Sequence, residues 1–412
     1  ELRDGDDYIA SLSNCDIVVL SPGVPPHKAS VQQLMAMGIP VVGEIELAYH
    51  LCKARIIAVT GTNGKTTTAT LIHHILTQAG YQTALVGNVG KPFIEVVEQL
   101  DDATWVVMEV SSFQLMTCEE FRPHIAIVTN VTIDHMDWHT DRDEYLAAKA
   151  KLLACQRGDD WAVLNADDAG ARSIAGSGKA RCILFGLHAT DAHVRLEGEH
   201  IVARLHQFGC DDVTLFQRSD IRLLGKHNLW NAMAGATAAY LTGVDAHHIA
   251  VSINSFDGVE HRLELVLECN GVKFVNDSAA TSPHACLYGL RAFDAPLIWI
   301  AGGRPKVTDF SILRDAICER VKAGIFIGEA AHALATVAHC AGVSHVVIAS
   351  SLKEAVSYAF RYASSGDVVL FSPACASFDM FDDYKHRGEV FKQLVHKLID
   401  SWANALCEAI AR

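Results

Sequence analysis

No stretch of this chain is an unbroken apolar run of the roughly 20 residues that a bilayer-crossing helix requires, so no membrane span is expected. No signal-peptide pattern opens it either, and the expected location is cytoplasmic. Positive charge is scarce. Lys and Arg number 34 against 48 Asp and Glu, a formal net charge of −14, which argues against general nucleic-acid binding because that needs a basic face. Small anionic ligands stay compatible with this balance, since loops and helix N-termini bind them locally. The 12 cysteines include no C-x-x-C pair. Scattered, mostly buried thiols in a reducing compartment fit this better than disulfides or a zinc framework. The 21 histidines are dispersed too, and His73-His74 and His247-His248 carry no metal assignment on pattern alone. Internal repeats, low-complexity tracts and long disordered linkers are missing.

What is present is a chain of 412 residues, half of them apolar, enough for two or three domains with more than one core. Helical and β-branched patterns alternate, which points to α/β domains with parallel sheets. The sharpest motif follows the apolar run Ile56-Ile57-Ala58-Val59, which reads as a buried strand. It ends in Thr60-Gly61-Thr62-Asn63-Gly64-Lys65-Thr66-Thr67, and a helical pattern continues through Ala69 to Gln78. Strand, glycine turn and helix N-terminus in that order cradle phosphate: backbone N–H groups point at the oxygens, Lys65 reaches the β- and γ-phosphates, and the Thr66 hydroxyl can ligate Mg²⁺. The full pattern asks for glycine where Val59 stands, so this is a short variant; a plain tight turn is the competing reading.

Other strand ends carry polar residues where parallel sheets hold ligands. Glu109 closes Trp105-Val106-Val107-Met108 and stands where phosphoryl-transfer enzymes place a second metal ligand, or is simply a strand-end acid. Asp134, His135 and Asp137 follow the strand Ile125 to Asn130; they could ligate a metal, bind a sugar or phosphate, or shape a loop. An amphipathic helix spans Asp141 to Leu153 with Tyr145, Ala148 and Leu152 on one stripe, and pattern alone reads the neighbouring Lys149 as a solvated lysine. Asn228 and Asn231 share a helix face and could read a purine edge, with helix capping by Asn228 as the alternative. Later strand ends offer Asp277 and Thr281, then Gly302-Gly303-Arg304-Pro305-Lys306, then Ser372-Pro373-Ala374-Cys375-Ala376-Ser377-Phe378. Small residues, hydroxyls and one lysine suit a small carboxylate, although ordinary turns explain each singly.

In order, the segments GTNGKTTT, GNVGKPF, MEVSSFQL, TNVTIDHMDWH, YLAAKAKLL, GKHNLWNA, HRLELV, NDSAATSP and SPACASFD resemble the Mur ligase family of ATP-dependent amide-forming enzymes. SSFQL, HRLE and SPACASFD are most similar to its D-glutamate-adding branch. The resemblance implies an α/β, three-domain architecture: a partial N-terminal Rossmann-like domain over 1–43, a central P-loop ATPase domain with a mostly parallel sheet over 44–258, and a C-terminal Rossmann-like domain over 259–412 that binds the amino acid and closes on ATP. It implies UDP-N-acetylmuramoyl-L-alanine and D-glutamate as substrates, ATP and two Mg²⁺ sites as cofactors, a monomer, and a role in peptidoglycan precursor synthesis.

Residue by residue, the resemblance assigns Gly61, Thr62, Asn63, Gly64, Lys65, Thr66 and Thr67 to the ATP phosphates. Asn228 and Asn231 go to adenine, and Arg262 and Asp277 to the phosphates and ribose. Thr66, Glu109 and His135 would hold metal. Lys149 matches a lysine that the family carbamylates with CO₂, which reverses the reading from pattern. Gly23, Asn88, Ser111 and His135 would approach the UDP-sugar, and Thr281, Lys306, Ser377 and Phe378 the D-glutamate. Lys65, Glu109, His135 and Lys149 are the catalytic candidates.

Two departures stand out. Ala279 occupies a position that is lysine in many of these ligases (NDSKAT), so the amino-acid site is expected to be organised differently. Roughly fifty residues expected at the front, with the Gly-rich turn that receives the UDP portion, do not precede Glu1. A sister ligase for another amino acid, a folylpolyglutamate-type enzyme and an inactive nucleotide-binding remnant are the alternative readings.

Overall fold

A computed structural model describes residues 12, 14–132 and 138–410, with side chains through 400. The chain divides into two compact units, one made of residues up to Arg222 together with Asn228–Phe256, the other of Leu223–His227 together with the chain from Asp257 onward. No helix among the described residues is long and apolar enough to cross a membrane.

The first unit holds two sheets. Strands β1 (Val18–Leu20) and β2 (Val41–Gly43) pair in parallel, with the helix Ala29–Ala36 between them. The larger sheet contains β3 (Arg55–Thr60), β4 (Thr83–Gly87), β5 (Trp105–Glu109), β6 (Ile125–Val128), β7 (Trp161–Asn165), β8 (Arg181–Gly186), β9 (Val194–Glu197), β10 (His200–Ala203) and β11 (Val213–Gln217). Their spatial order is β11-β10-β9-β8-β7-β6-β3-β5-β4. Pairing is parallel from β4 through β9, and only β9-β10 and β10-β11 are antiparallel. All five residues of β5 are buried, as expected for a strand covered on both faces. β3 lies between β5 and β6, so the connections leave it in opposite directions; a ligand crevice forms beyond the carboxyl ends at such a reversal.

The second unit contains β12 (Glu264–Cys269), β13 (Val272–Asn276), β14 (Leu297–Gly302), β15 (Val321–Ile327), β16 (His345–Ile348) and β17 (Val368–Phe371), in the order β12-β13-β17-β14-β15-β16. All its pairs are parallel except the β12-β13 hairpin. Successive residues alternate between two cores, because strand side chains point to opposite faces. Val275, Trp299 and Leu370 join the helices Pro283–Arg291, Arg314–Arg320 and Ala331–Cys340 on one face. Phe274, Ile298, Ile300 and Phe371 join the helices Leu352–Tyr362 and Tyr384–Ile410 on the other. The α/β class with mostly parallel sheets is therefore the observed one.

Trp299 is the largest fully buried side chain of this unit; its ring meets Phe326 edge-on at 5.1 Å and its indole N–H donates to the Ser372 carbonyl at 2.9 Å. Trp299→Ala removes that packing and the indole hydrogen bond. It is expected to destabilise by about 3–5 kcal/mol, read from urea unfolding by far-ultraviolet circular dichroism. A change within ±0.5 kcal/mol, roughly what a surface substitution gives, would refute its place in the core.

Candidate functional site

The crevice beyond β3, β5 and β6 gathers the first group of residues. The turn after β3 is fastened to the end of β6 by hydrogen bonds running both ways. Asn63 O accepts from Thr129 Oγ1 at 2.6 Å and Asn130 Nδ2 at 2.9 Å, and Asn63 N donates to Asn130 Oδ1 at 3.0 Å. Thr62 N donates to Asn130 O at 2.8 Å, and the Thr62 hydroxyl donates to Thr132 O at 2.8 Å. Gly64 caps the helix Lys65–Gln78 in the left-handed region, φ 82°, and a Cβ there would sit 2.2 Å from Asn231 Oδ1, so glycine is required twice over. The first-turn amides of this helix have no intrahelical acceptor and offer themselves to an anion. Lys65 Nζ folds back onto Gly61 O at 2.9 Å and Thr62 O at 2.8 Å.

Lys149 is 1 % exposed, so the reading of a solvated lysine is corrected. The buried face of the helix Arg142–Ala154 is wider than the stripe of Tyr145, Ala148 and Leu152, and it takes in Lys149, four residues on from Tyr145. Lys149 Nζ donates to Gly61 O at 2.9 Å, stands 3.4 Å from Thr60 Oγ1, and lies 4.6 Å from the centre of the Tyr145 ring. The Tyr145 hydroxyl is 2.9 Å from Thr62 Oγ1.

Glu109 is 2 % exposed at the end of β5. Its Oε1 accepts from Asn88 Nδ2 at 2.9 Å, whereas Oε2 is buried with no hydrogen-bond partner. A buried carboxylate oxygen left unpartnered is costly, and a cation is what would satisfy it. Among the described residues no group of three or more His, Cys, Asp or Glu could hold a metal ion, while His135, with Asp134 and Asp137, lies outside the described residues. Asn88 thus holds Glu109 in place, by its side chain and by N–H to the Glu109 carbonyl at 2.9 Å. Ser111 starts the short helix Ser112–Leu115, and its N–H is received by Gln114 Oε1 at 2.9 Å. The next residue, Ser112, meets His139 Nε2 at 2.9 Å. His139 is 3 % exposed and escaped the sequence reading, because one histidine among 21 gives no signal without its partner.

Asn228 does not cap the helix His227–Leu241; it is its second residue, buried, and its Oδ1 accepts from Asn231 Nδ2 at 2.8 Å. Asn231 in turn abuts Gly64, which brings the paired amides against the phosphate turn. A separate small, open pocket lies between the turn after β1 and the SSFQL helix, lined by Ser21, Pro22, Val24, Glu44, Phe113 and Gln114 among others. Gly23 belongs to that turn but is not among the lining residues.

In the second unit, Arg262 sits between two non-glycine residues in the left-handed region, His261 at φ 64° and Leu263 at φ 45°. Asp277 Oδ2 accepts from Ser372 Oγ at 2.7 Å and its Oδ1 from Leu263 N at 3.3 Å. Lys306 Nζ reaches Thr281 Oγ1 at 3.3 Å. The turn after β14 and the 373–379 turn pair through Arg304 N to Ala376 O and Ala376 N to Arg304 O, each 2.9 Å. Ser377 is buried and Phe378 is exposed. The Arg304 side chain pairs with Glu329 at 3.1 Å, so that part of its charge is already matched. Ala279 uses its N–H on His261 O at 3.0 Å.

Burial raises the Asp277 carboxyl to about 7, against the opposite pulls of the Ser372 hydroxyl, the Leu263 N–H and the Arg262 charge. The folded chain then holds a proton that the unfolded chain has lost above its ordinary value of 3.8. Stability contributed by this group is full below that value and declines as pH rises through about 7. Asp277→Asn, neutral throughout, is expected to lack this decline. Its urea midpoint should gain on the wild type between about pH 5 and about pH 8, whereas a constant difference would contradict a buried acid.

Family models for the Mur ligase middle domain and for the Mur ligase glutamate ligase domain match residues 59–239 and 261–375. An enzyme named UDP-N-acetylmuramoylalanine–D-glutamate ligase from Pelotomaculum thermopropionicum is 43% identical over 385 residues, covering 93% of this chain and 84% of that one. The protein of the same name from Acidobacterium capsulatum is 41% identical over 393 residues, covering 95% and 85%. Among solved structures, a UDP-N-acetylmuramate-alanine ligase from Thermotoga maritima superposes with a TM-score of 0.61 at 18% identity, covering 94% of this chain and 86% of its own. A MurF ligase from the same organism, solved in complex with ADP, gives 0.60 at 15% identity over 96% and 94%. At these identities the two structures speak for the fold alone.

Proposed function

The chain belongs to the Mur ligase family of ATP-dependent ligases, and we propose that it joins D-glutamate to UDP-N-acetylmuramoyl-L-alanine in peptidoglycan precursor synthesis. The observation that carries the reading is the convergence, on one crevice, of the phosphate turn, the unpartnered Glu109 oxygen and the buried Lys149. The branch is supported by the names of the relatives quoted above and by a lysine next to hydroxyls, Lys306 with Thr281, which suits an acidic acceptor.

The reaction proceeds in two steps. The alanyl carboxylate of the UDP-sugar substrate attacks the γ-phosphorus of ATP, forming an acyl phosphate and releasing ADP. The amine of D-glutamate then attacks the acyl carbon, and phosphate leaves with the electron pair of its C–O bond. Lys65 and the helix amides face charge that spreads over the transferring phosphoryl group, and their fixed positions avoid the cost of reorganising solvent. Mg²⁺, when bound, supplies further positive charge there. Glu109 and Thr66 are the described side chains that would hold it, with His135 as a third. Asn88 keeps Glu109 oriented, and Asn228 with Asn231, ordered by their own hydrogen bond, face adenine. Arg262 is assigned to the phosphates and Asp277 to the ribose; Thr281, Lys306, Ser377 and Phe378 to D-glutamate; Gly23, Ser111 and His135 to the UDP-sugar.

Lys149 is the further metal ligand in this reading, after its neutral amine adds CO₂ and loses a proton to become a carbamate. The division of the chain at 43/44 and 258/259 into substrate, ATPase and amino-acid domains is part of the same proposal.

Phosphate release from ATP, Mg²⁺ and UDP-N-acetylmuramoyl-L-alanine is expected to depend on D-glutamate. Lys65→Ala should cut it at least about 100-fold. Release that responds instead to another amino acid would assign the chain to a sister branch, and undiminished turnover by Lys65→Ala would remove the phosphate role. Lys149→Ala should likewise lose about 100-fold or more, with part of the rate returned by a short acid such as formate. Wild-type rates without added acid would make Lys149 a packing residue.

A further inference from the structure

Arg387 lies in the first turn of the helix Tyr384–Ile410, and nothing in the reaction described so far uses it. Its side chain is 1 % exposed. The guanidinium donates through Nε to Ser278 Oγ at 3.0 Å, through Nη2 to Ser278 O at 2.9 Å and through Nη1 to Cys375 O at 3.1 Å. Gly303 packs against it as well: a Cβ on that residue would come within 3.1 Å of Nη1. One planar group therefore bonds the turns after β13 and β17 and lies close beside the turn after β14. These are the turns that carry Thr281, Lys306 and Ser377.

The polar partners of this cation are a hydroxyl and two carbonyls, and Asp379 acts on it only through its field. Burying a charge on such terms is expensive, and an apolar side chain of similar volume would often make a more stable core. What the guanidinium supplies that an apolar group cannot is direction, because its donors leave a rigid fork at fixed angles. Ser278 is held twice, by hydroxyl and by carbonyl, and its hydroxyl passes a further hydrogen bond to Tyr384 O at 2.8 Å. The backbone one residue before Ser278 carries Asp277, and the backbone two residues after Cys375 carries Ser377.

We propose that Arg387 is a positioning residue of the acceptor site, one guanidinium that sets the mutual spacing of the three turns holding the amino-acid substrate. The inference rests on the reading of those turns as the D-glutamate site. A lysine in its place would keep the charge and lose the fork. A site assembled from three turns is sensitive to small offsets, so the effect belongs in acceptor binding rather than in overall stability.

The test compares wild type, Arg387→Lys and Ser278→Ala in phosphate-release kinetics with varied D-glutamate. Arg387→Lys should raise the KM for D-glutamate at least about tenfold, and Ser278→Ala by less, while the KM for UDP-N-acetylmuramoyl-L-alanine stays within about twofold. Hydrogen–deuterium exchange on the same proteins, without substrates, should quicken together in segments 277–282, 302–306 and 373–379. Unchanged KM for D-glutamate, equal losses toward every substrate, or exchange altered in one segment alone would overturn the proposal. Should Arg387→Lys fail to fold, Ser278→Ala decides by the same readings. A wild type that ignores D-glutamate points to a different acceptor. The exchange result then still judges Arg387, and the failure is that of the substrate reading.

Discussion

Two lysine nitrogens converge on one backbone oxygen. Lys65 Nζ and Lys149 Nζ each lie 2.9 Å from the carbonyl of Gly61, one arriving from the helix that follows the turn and the other from a helix more than a full strand further along the chain. The orientation of that single peptide decides where both nitrogens stand. The N–H fixed to the same planar unit, that of Thr62, donates to Asn130 O at 2.8 Å. In the next peptide Asn63 N donates to Asn130 Oδ1 and so guards the arrangement from the β6 side. Binding an anion here requires a helix N-terminus, but keeping two lysines at the same place requires this carbonyl.

The same logic recurs in the second unit with the roles exchanged. There a single cation, Arg387, gathers several carbonyl and hydroxyl oxygens instead of one oxygen gathering two lysine nitrogens. Both devices turn flexible connections into fixed ones without adding secondary structure. Turns placed beyond a parallel sheet are free to vary in sequence, yet the residues they carry must be held to a fraction of an ångström for chemistry.

Much of this was legible in the sequence, for reasons that differ by residue. The phosphate turn announced itself because strand, glycines and Lys-Thr are contiguous, and β5 was read to the residue because an apolar run ends in a polar stop. β9 to β11 went unread: they are short, and glutamate, arginine and histidine interrupt their alternation at the sheet's antiparallel edge. Lys149 could not be placed from helical periodicity, since a lysine beside an apolar stripe is ordinarily solvated; resemblance alone put it in the site. Arg387 left no trace at all. Its partners are two carbonyls and one hydroxyl, 12 and 109 positions away, and carbonyls carry no sequence signal.

The position of β3 has a consequence for how this chain reaches its native state. β3 must find β5 and β6 across wide separations: the Thr60 hydroxyl bonds Val110, 50 positions on, and Thr129 bonds back to Thr60 across 69. Closing such long loops precedes any reward from the contacts, and topology of this kind slows folding. The phosphate turn is local in sequence, but the bonds that lock its carbonyls come from the far side of those closures. A partly folded chain would carry the whole motif and still lack a nucleotide site. Nucleotide, by binding only the completed sheet, would draw late intermediates toward the native state by mass action.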